Sequence, residues 1–265
     1  MRGHAVVFVC ALVVVASCAP QARPTSGALN GTLVDLSHEY SDQSIFWPTA
    51  ESFRLDKVAD GMTPQGYYYA ANNFASAEHG GTHVDAPVHF AQGRWSVEQI
   101  PLEQLVGDAA VIDVSAAAAA QPDYQVAVAD LEAWEKAHGT LNGTIVVIRT
   151  DYSKRWPDAA RYLGTAERGE AAVPKLHFPG LHPDAARWLA ANRTVKAVGI
   201  DTASLDYGQS SLFETHRVLY ERNIPGLENL SNLERLPARG ATIIALPMKI
   251  KGGSGAPLRA IAIVP

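Results

Sequence analysis

The sequence is poor in cysteine and in basic charge, and both shortages exclude whole classes of protein. Two cysteines in 265 residues cannot staple a disulfide-rich scaffold. With 22 basic and 27 acidic side chains the chain has no basic excess, so a nucleic-acid partner is not expected. A hydrophobic fraction of 47% is too high for a disordered chain, and a chain of this length can bury a large core.

A long apolar run is also missing. The apolar stretch from Ala5 to Ala16 has twelve residues, which is short of the roughly 20 that a membrane-spanning helix needs. Because it follows Arg2, it predicts a signal peptide over residues 1–17. Val15-Ala16-Ser17-Cys18 resembles the lipobox of bacterial lipoproteins, which implies a lipid on the cysteine; an ordinary signal peptide is the alternative.

The leader predicts the cellular location and the domain organisation. Residues 18–30 are rich in proline, serine and glycine and are expected to be a flexible tether behind the lipidated Cys18. Residues 31–265 are expected to form the folded domain. The protein would then be exported, to the periplasm or the outer membrane, and would touch the membrane only through its N-terminal lipid anchor.

Short runs rich in valine and isoleucine alternate with fewer helical segments. The predicted strands are Thr32–Leu36, Tyr67–Phe74, Ala109–Val114, Thr144–Thr150, Val195–Asp201, Thr242–Leu246 and Leu258–Val264. The predicted helices are Val128–His138, Pro183–Asn192 and Glu214–Asn223. Strands mixed with fewer helices favour one α/β or α+β domain.

Residues 78–90 concentrate the chemistry of the chain. They read Glu-His-Gly-Gly-Thr-His-Val-Asp-Ala-Pro-Val-His-Phe. His79, His83, Asp85 and His89 occupy odd positions and would share one face of an extended chain, because side chains alternate with a period of two. His83 and Asp85 would lie about 6.6 Å apart along a strand, so that both could reach one metal ion.

The two glycines of this segment decide where its first histidine lies. A straight strand would hold His79 about 13 Å from His83, too far to share an ion. Gly80-Gly81 disfavours a helix and predicts a turn or bulge that folds His79 back. Pro87 is expected to end the strand and to direct His89 separately, as suits a proton-transfer group beside the metal.

Imidazole and carboxylate ligands together suit zinc or manganese, with iron or cobalt as alternatives. A group of histidines with only packing roles is the other interpretation. Three histidines and one aspartate on one face around a Gly-Gly turn favour the metal site.

The spacing His79-x-Gly81-Thr82-His83-x-Asp85-x-Pro87-x-His89-Phe90 resembles the signature of the cyclase family of metal-dependent hydrolases, which includes bacterial kynurenine formamidase and isatin hydrolase. The resemblance continues in residues 35–38, 46–48 and 199–206. It implies a single α/β (α+β) domain with a mixed, partly barrel-like sheet flanked by helices. It also implies a homo-oligomer, with a dimer expected.

The same resemblance implies a ligand set. His79, His83 and Asp85 would hold a first metal ion, and Asp85 could bridge to a second ion held by His216 and Glu228. His216 and Glu228 are twelve residues apart, which is the spacing of the family's downstream ligands. The site would therefore hold one or two divalent ions, zinc or manganese.

Aromatic residues precede the metal motif. Trp47 lies in a proline-bounded loop and matches a pocket position of the family, so it is the expected substrate-binding residue. In the predicted strand Tyr67–Phe74, alternate aromatic side chains are expected to face the core. An aromatic pocket suits an aryl amide or an indole-dione.

These features predict an amidohydrolase. Water activated by the metal would attack an amide carbonyl, and His89 would carry the proton to the leaving nitrogen. No G-x-S-x-G elbow is present, which argues against a serine hydrolase. The predicted substrate is an aryl formamide such as N-formylkynurenine, and the opening of an isatin-type lactam is the alternative.

Two further points bear on the function. A non-catalytic periplasmic metal-binding lipoprotein is the alternative from another class. Export fits poorly with tryptophan catabolism, which is usually cytoplasmic, and favours detoxification or scavenging. The run Gly252-Gly253-Ser254-Gly255 lacks the Lys-Ser/Thr ending of a phosphate loop and is expected to be a hairpin loop.

Overall fold

Two short, buried strands show how this chain builds its sheet. Ile145–Arg149 and Ala197–Ile200 are buried along almost their whole length, as parallel strands covered on both faces are. They belong to a computed structural model that describes residues 30–265. The segment predicted as a signal peptide (residues 1–17) and the predicted tether up to residue 29 lie outside the described residues.

Twelve strands and six α-helices are found in residues 30–265. The strands are β1 (Thr32–Asp35), β2 (Arg54–Met62), β3 (Tyr68–Ala75), β4 (His83–Asp85), β5 (Val106–Asp113), β6 (Gln125–Val126), β7 (Ile145–Arg149), β8 (Gly180–Leu181), β9 (Ala197–Ile200), β10 (Gly226–Glu228), β11 (Arg239–Pro247) and β12 (Gly255–Val264). The helices are α1 (Leu102–Leu105), α2 (Ser115–Ala120), α3 (Val128–His138), α4 (Ala159–Leu163), α5 (Pro183–Asn192) and α6 (Glu214–Tyr220).

Seven strands close into a barrel-like ring. The order β12-β11-β5-β7-β9-β10-β4 returns to β12, because β12 pairs with both β11 and β4. The neighbours from β5 to β10 are parallel and the other pairs are antiparallel. β1 adds to the outer end of β12. The fold is therefore the mixed, barrel-like α/β domain that the sequence implied.

Alternate residues of the central strands enter two different cores. In β7, Ile145 and Val147 pack into one apolar cluster, and Val146 and Ile148 pack into a second. The second cluster also contains the buried faces of α3, α5 and α6. This period-two division fixes which side of the sheet the helices cover.

Most of the predicted elements are observed near their expected bounds. The helices Val128–His138 and Pro183–Asn192 have the predicted ends, whereas α6 stops at Tyr220 instead of Asn223. Asn223 adopts a left-handed conformation with φ of 55°, which is incompatible with a continuing helix. The three-residue strands β4 and β10 were not predicted as separate strands, and both carry site residues.

The strand predicted over Tyr67–Phe74 is observed as β3. The prediction that alternate aromatic side chains of this strand face the core is wrong. β2 and β3 make a separate two-stranded hairpin, and Tyr67, Tyr68, Tyr69 and Phe74 each expose more than half of their surface. Alternation cannot bury a side chain where no second layer covers the strand. These aromatic residues therefore belong neither to the core nor to the pocket.

The helices are short and amphipathic. Within residues 30–265, none combines the length and the apolar character that crossing a bilayer requires.

Candidate metal centre and pocket

A bend at Gly80-Gly81 brings the first histidine of the motif back to the second. Gly81 has a positive φ of 57°, and a Cβ on Gly80 would lie 2.0 Å from a ring carbon of Phe46. The ring centroids of His79 and His83 are consequently 5.5 Å apart. The turn expected from the two glycines is present, and it depends on their lack of side chains.

Strand β4 presents its two polar residues on one face. His83 Nε2 lies 3.1 Å from Asp85 Oδ1, and His79 Nδ1 lies 2.7 Å from the same oxygen. All three residues of β4 are buried. Asp85 is thus the meeting point of the two histidines that precede it.

Strand β10 adds a ligand from a distant part of the chain. It pairs antiparallel with β4 so that Glu228 lies directly opposite His83, and Glu228 Oε2 is 3.5 Å from His83 Nε2. His216, on α6, places its Nε2 2.9 Å from Glu228 Oε1 and 3.4 Å from Asp85 Oδ2. The structure therefore brings together all five residues proposed as ligands from the sequence.

Three buried residues that the sequence reasoning did not single out hold this arrangement. Asp206 accepts a hydrogen bond from His216 Nδ1. Tyr220 donates to Asp85 Oδ2 at 2.7 Å. Asn229 donates to the carbonyl of Gly81 at 2.8 Å, and the same carbonyl lies 2.9 Å from His83 Nδ1.

The sequence contains a local signal for two of these residues. Tyr220 follows His216 by four positions, so both lie on one face of α6. Asp206 ends the segment 199–206 that resembles the family. The role of Asn229 carries no comparable signal, because it depends on a carbonyl far away in the chain.

Burial and charge oppose each other at the centre. Burial acts to raise the pKa of Asp85, but interactions with the surrounding histidines, among them hydrogen bonds to His79 and His216, outweigh it and hold the pKa well below its usual range. Burial acts to lower the pKa of His216, but hydrogen bonds to Asp206 and Asp85 raise the pKa well above its usual value. A buried group of carboxylates that stabilises positive charge in this way is suited to a cation.

The donor set fits a divalent metal. One possible ligand atom each from His83, Asp85 and Glu228 lies within 4.8 Å of the others, and the same holds for His79, Asp85 and His89. His83 Nε2 is buried and has no hydrogen-bond partner among the described residues, although it points into the carboxylates. Nitrogen and oxygen ligands together suit zinc and manganese, and do not choose between them.

His89 lies on the other side of His79. Pro87 starts a turn of 3-10 helix over Pro87–His89, and the rings of His79 and His89 stack with centroids 3.7 Å apart. Burial lowers the pKa of His89 to about 4, so the ring is neutral near pH 7. The geometry allows His89 to act as a proton-transfer group or as a further ligand.

A cavity of about 260 Å³ opens onto the centre. Its polar floor contains all five proposed ligands together with His89. Its apolar wall is formed by Ile45, Phe46, Trp47, Ala50, Phe90, Ala203 and Phe213. Trp47 is part of this wall and contacts Phe213 edge-on, with ring centroids 6.1 Å apart.

Comparison with known families gives a match over most of the domain. The family described as Putative cyclase matches residues 34–207. The matched segment contains His79, His83, Asp85 and His89, and it ends before His216 and Glu228.

The chain is similar both to isatin hydrolases and to kynurenine formamidases. An isatin hydrolase of Roseibium aggregatum is 37% identical over 76% of this chain and 77% of its own length. A kynurenine formamidase of Salinibacter ruber is 30% identical over 86% of this chain and 96% of its own. The structure of isatin hydrolase A from Ralstonia solanacearum superposes with a TM-score of 0.78, at 36% identity, over 89% of this chain and 93% of that one.

Proposed function

On the premise that the chain belongs to the Putative cyclase family and is a metal-dependent hydrolase, we propose that it hydrolyses the amide bond of a small, uncharged aromatic lactam of the isatin type. An aryl formamide such as N-formylkynurenine is the second candidate. The observation that carries this order of preference is the composition of the cavity wall.

The cavity wall is aromatic and carries no cation. Among the described residues that line the cavity, none is a lysine or an arginine. N-formylkynurenine ends in an amino acid group whose carboxylate would need a partner when it is buried. A compact lactam has no such group and could stack its ring against Trp47 or Phe213. The volume of about 260 Å³ lies near the lower end of small-molecule pockets, which run from about 300 Å³ upward.

The five ligand residues would hold the metal. We propose zinc or manganese, with one or two ions, and Asp85 as the residue that two ions would share. When bound, the ion supplies a Lewis acid that polarises the carbonyl and lowers the pKa of a water molecule. Tyr220, Asp206 and Asn229 orient the ligands Asp85, His216 and His83 respectively.

His89 is the proposed proton-transfer residue. Its ring stacks on His79 at the floor of the cavity, where a substrate amide would meet the metal ligands. It would take the proton of the attacking water and give it to the amide nitrogen, so that the C–N bond breaks without leaving negative charge on the nitrogen. Neither step needs a serine or cysteine nucleophile.

The test compares two substrates on one enzyme. Protein loaded with Mn²⁺ or Zn²⁺ is assayed for kcat/KM with isatin and with N-formylkynurenine, and the H83A variant controls for contaminating hydrolases. A higher kcat/KM for isatin supports the proposal. A preference for N-formylkynurenine would show that the argument from the cavity wall is wrong. Metal binding without turnover of either amide would instead favour the non-catalytic metal-binding protein.

The location follows from the leader. We propose that the protein is exported and anchored through a lipid on Cys18 in the periplasm or at the outer membrane. In the native type of host, metabolic labelling with a fatty acid should mark the wild type and leave C18A unlabelled. A wild type that takes up no label would contradict the anchor. An exported enzyme is better suited to removing an aromatic lactam outside the cytoplasm than to catalysing a step of tryptophan catabolism.

We also propose that the chain forms a homodimer through the hairpin β2–β3. A two-stranded sheet is only marginally stable in water, and exposed apolar patches mark interaction surfaces. Met62 and Tyr68 are cross-strand partners that expose 68% and 61% of their surface. Light scattering should give the mass of a dimer for the wild type and of a monomer for M62S/Y68S. A monomeric wild type would refute the proposal.

A further inference from the structure

The cavity offers a substrate few polar side chains apart from the proposed metal ligands and His89. Among the described residues that line it, only Ser204 and Asn229 remain. The amide of Asn229 is occupied on both sides, because Nδ2 donates to the carbonyl of Gly81 at 2.8 Å and Oδ1 accepts from Tyr162 at 2.8 Å. Small-molecule sites combine an apolar wall with a few polar groups that fix the orientation of the ligand. In this lining, Ser204 is the neutral polar side chain that is left for that role.

The hydroxyl of Ser204 is open on the cavity side. Within residues 30–265 it makes no hydrogen bond, and it is not sealed from solvent. The residue exposes 4% of its surface and lines the cavity, so the accessible part of it faces the cavity. A hydroxyl has one hydrogen to donate and two lone pairs to accept with, and all of them are available here.

The peptide unit that follows Ser204 is held at both of its polar atoms. The carbonyl of Ser204 accepts a hydrogen bond from Thr202 Oγ1 at 3.0 Å. The N–H of Leu205 donates to Glu228 Oε1 at 2.7 Å, and the side chains of these neighbours are buried. The position of Ser204 is thus tied to a proposed metal ligand through the backbone. A hydroxyl on so fixed a segment can orient a substrate relative to the metal ligands.

The two candidate substrates share one group that the proposed mechanism leaves without a partner. Isatin and N-formylkynurenine are both aromatic amides with a ketone on the ring carbon next to the one that bears the amide nitrogen. The scissile carbonyl belongs at the metal ligands, and the amide nitrogen belongs at His89. The ketone beside them then needs a hydrogen-bond donor, because a buried carbonyl without a partner weakens binding.

We propose that the hydroxyl of Ser204 donates a hydrogen bond to this ketone, and that the protein thereby selects aromatic amides with a carbonyl group ortho to the amide nitrogen. The inference rests on the proposed amide hydrolysis. It does not depend on the choice between lactam and formamide, since both candidates carry the ketone. The loss of one neutral hydrogen bond corresponds to about 2- to 10-fold in affinity.

Three measurements on S204A separate the hydroxyl from other effects. With Mn²⁺ bound, KM for isatin should rise about 2- to 10-fold, because the ketone loses its donor. The kcat, and the affinity for Mn²⁺ in chelator competition, should change by less than about twofold. A fall in kcat at constant KM would place the hydroxyl in the chemical step, and weaker Mn²⁺ binding would route the effect through Glu228. Either result overturns the proposal.

The variant S204T keeps the hydroxyl and should have a KM close to that of the wild type. A KM raised as far as in S204A would assign the effect to the shape of the cavity and overturn the proposal. Ser153 provides a matched control, since it is also buried, makes no side-chain hydrogen bond within residues 30–265 and lines a different cavity. S153A should leave KM unchanged, and a rise equal to that of S204A would overturn the proposal.

Oxindole, the lactam that lacks the ketone, identifies the group that Ser204 contacts. The wild type should bind isatin more tightly than oxindole, measured as a competitive inhibitor, and S204A should narrow this preference because only isatin loses a contact. A preference that S204A leaves unchanged would overturn the proposal. If the protein prefers formamides, ortho-formamidoacetophenone and formanilide form the corresponding pair.

The outcomes also separate this inference from the proposed function. An unchanged KM in S204A would overturn the role of Ser204 and leave the hydrolase standing. A wild type that hydrolyses neither isatin nor an aryl formamide would refute the proposed function, and the role of Ser204 with it.

Discussion

The hydroxyl of Tyr220 donates a hydrogen bond to Asp85 Oδ2 at 2.7 Å across 135 positions of sequence. Both side chains are buried, and the opposite oxygen of the same carboxylate faces His79 and His83. The tyrosine therefore fixes the rotation of the carboxylate about which the metal centre is arranged. Its position on α6, one turn after His216, lets a single helix contribute both a ligand and a support.

Replacing Tyr220 by phenylalanine tests this support with little change of shape. Y220F removes one hydrogen bond to a buried carboxylate, a contribution of about 1.5–3 kcal/mol. We expect metal affinity to fall about 10- to 100-fold and kcat to fall at subsaturating metal. Y152F is the matched control, since Tyr152 is equally buried but donates to the carbonyl of Pro122. Equal metal affinity in Y220F and the wild type would contradict the role.

Asp206 offers a second test, on the other side of the centre. It accepts from His216 Nδ1 and from the backbone N–H groups of His216 and Thr215. In D206N one oxygen becomes an amide donor that opposes these donors, so His216 loses its orientation. Isothermal titration should show about 10- to 100-fold weaker metal binding. D113N, at an exposed aspartate, should leave binding unchanged.

Metal removal is expected to lower stability as well as activity. Without the cation, the free energy of metal binding is lost, and the buried carboxylates Asp85 and Glu228 depend on the neighbouring histidines for compensating charge. At a metal concentration of about 100 times Kd, binding adds about 2.7 kcal/mol, which corresponds to roughly 5–10 °C in Tm for a domain of this size. Differential scanning calorimetry with metal or EDTA measures the shift. The H83A variant should show a much smaller shift in Tm. A shift equal to that of the wild type would contradict the role of His83 as a metal ligand.

Trp47 should affect substrate binding more than chemistry. Its ring forms part of the apolar wall and lies 6.1 Å from the ring of Phe213. W47A should raise KM about tenfold, as expected for a loss near 1.4 kcal/mol, with kcat changed by less. W47F keeps an aromatic ring, so its KM should lie between those of the wild type and W47A. A fall in kcat at constant KM would place Trp47 in the chemical step instead.

Asp201 gives a prediction for pH. Burial raises its pKa from 3.8 to about 6, in spite of hydrogen bonds from Thr150 N and Oγ1. Because the folded pKa is above the unfolded one, ionisation of Asp201 destabilises the fold above pH 6, and the penalty disappears as the pH falls below about 4. A shift of about 2 units corresponds to roughly 3 kcal/mol.

The variant D201N isolates this effect from that of other titrating groups. In EDTA, D201N should be more stable than the wild type at pH 8, and urea denaturation should show a nearly constant difference down to about pH 6.5 and a shrinking one as the pH is lowered from 6 towards 4. A difference that does not vary with pH would show that folding does not shift the pKa of Asp201.

The metal motif could be predicted because its geometry is local. Residues 79–89 place their ligands through strand alternation and a Gly-Gly turn, and both are properties of a few consecutive residues. The exposure of Tyr67, Tyr68, Tyr69 and Phe74 could not be predicted in the same way. Alternation says which side chains share a face of β3, but only the arrangement of the whole chain says whether another layer covers that face.

The residues that support the ligands also differ in whether a local sequence pattern could have predicted them. Tyr220 could have been found from its spacing to His216 on one helix. Asn229 and Gly81 are separated by 148 positions, and their hydrogen bond depends on the pairing of β10 with β4. No local pattern records such a contact, because loop closure over long separations is decided by the packing of the strands between.

By itself the sequence determined which residues form the cluster of His79, His83, Asp85 and His89, since strand alternation and a Gly-Gly turn are properties of a few consecutive residues. The tertiary structure decided the remainder of the centre. Glu228 faces His83 only because β10 pairs with β4 in one register, and a slip of one residue would turn its side chain to the opposite face. That register is set when the seven strands close into a ring, which is a property of the whole domain.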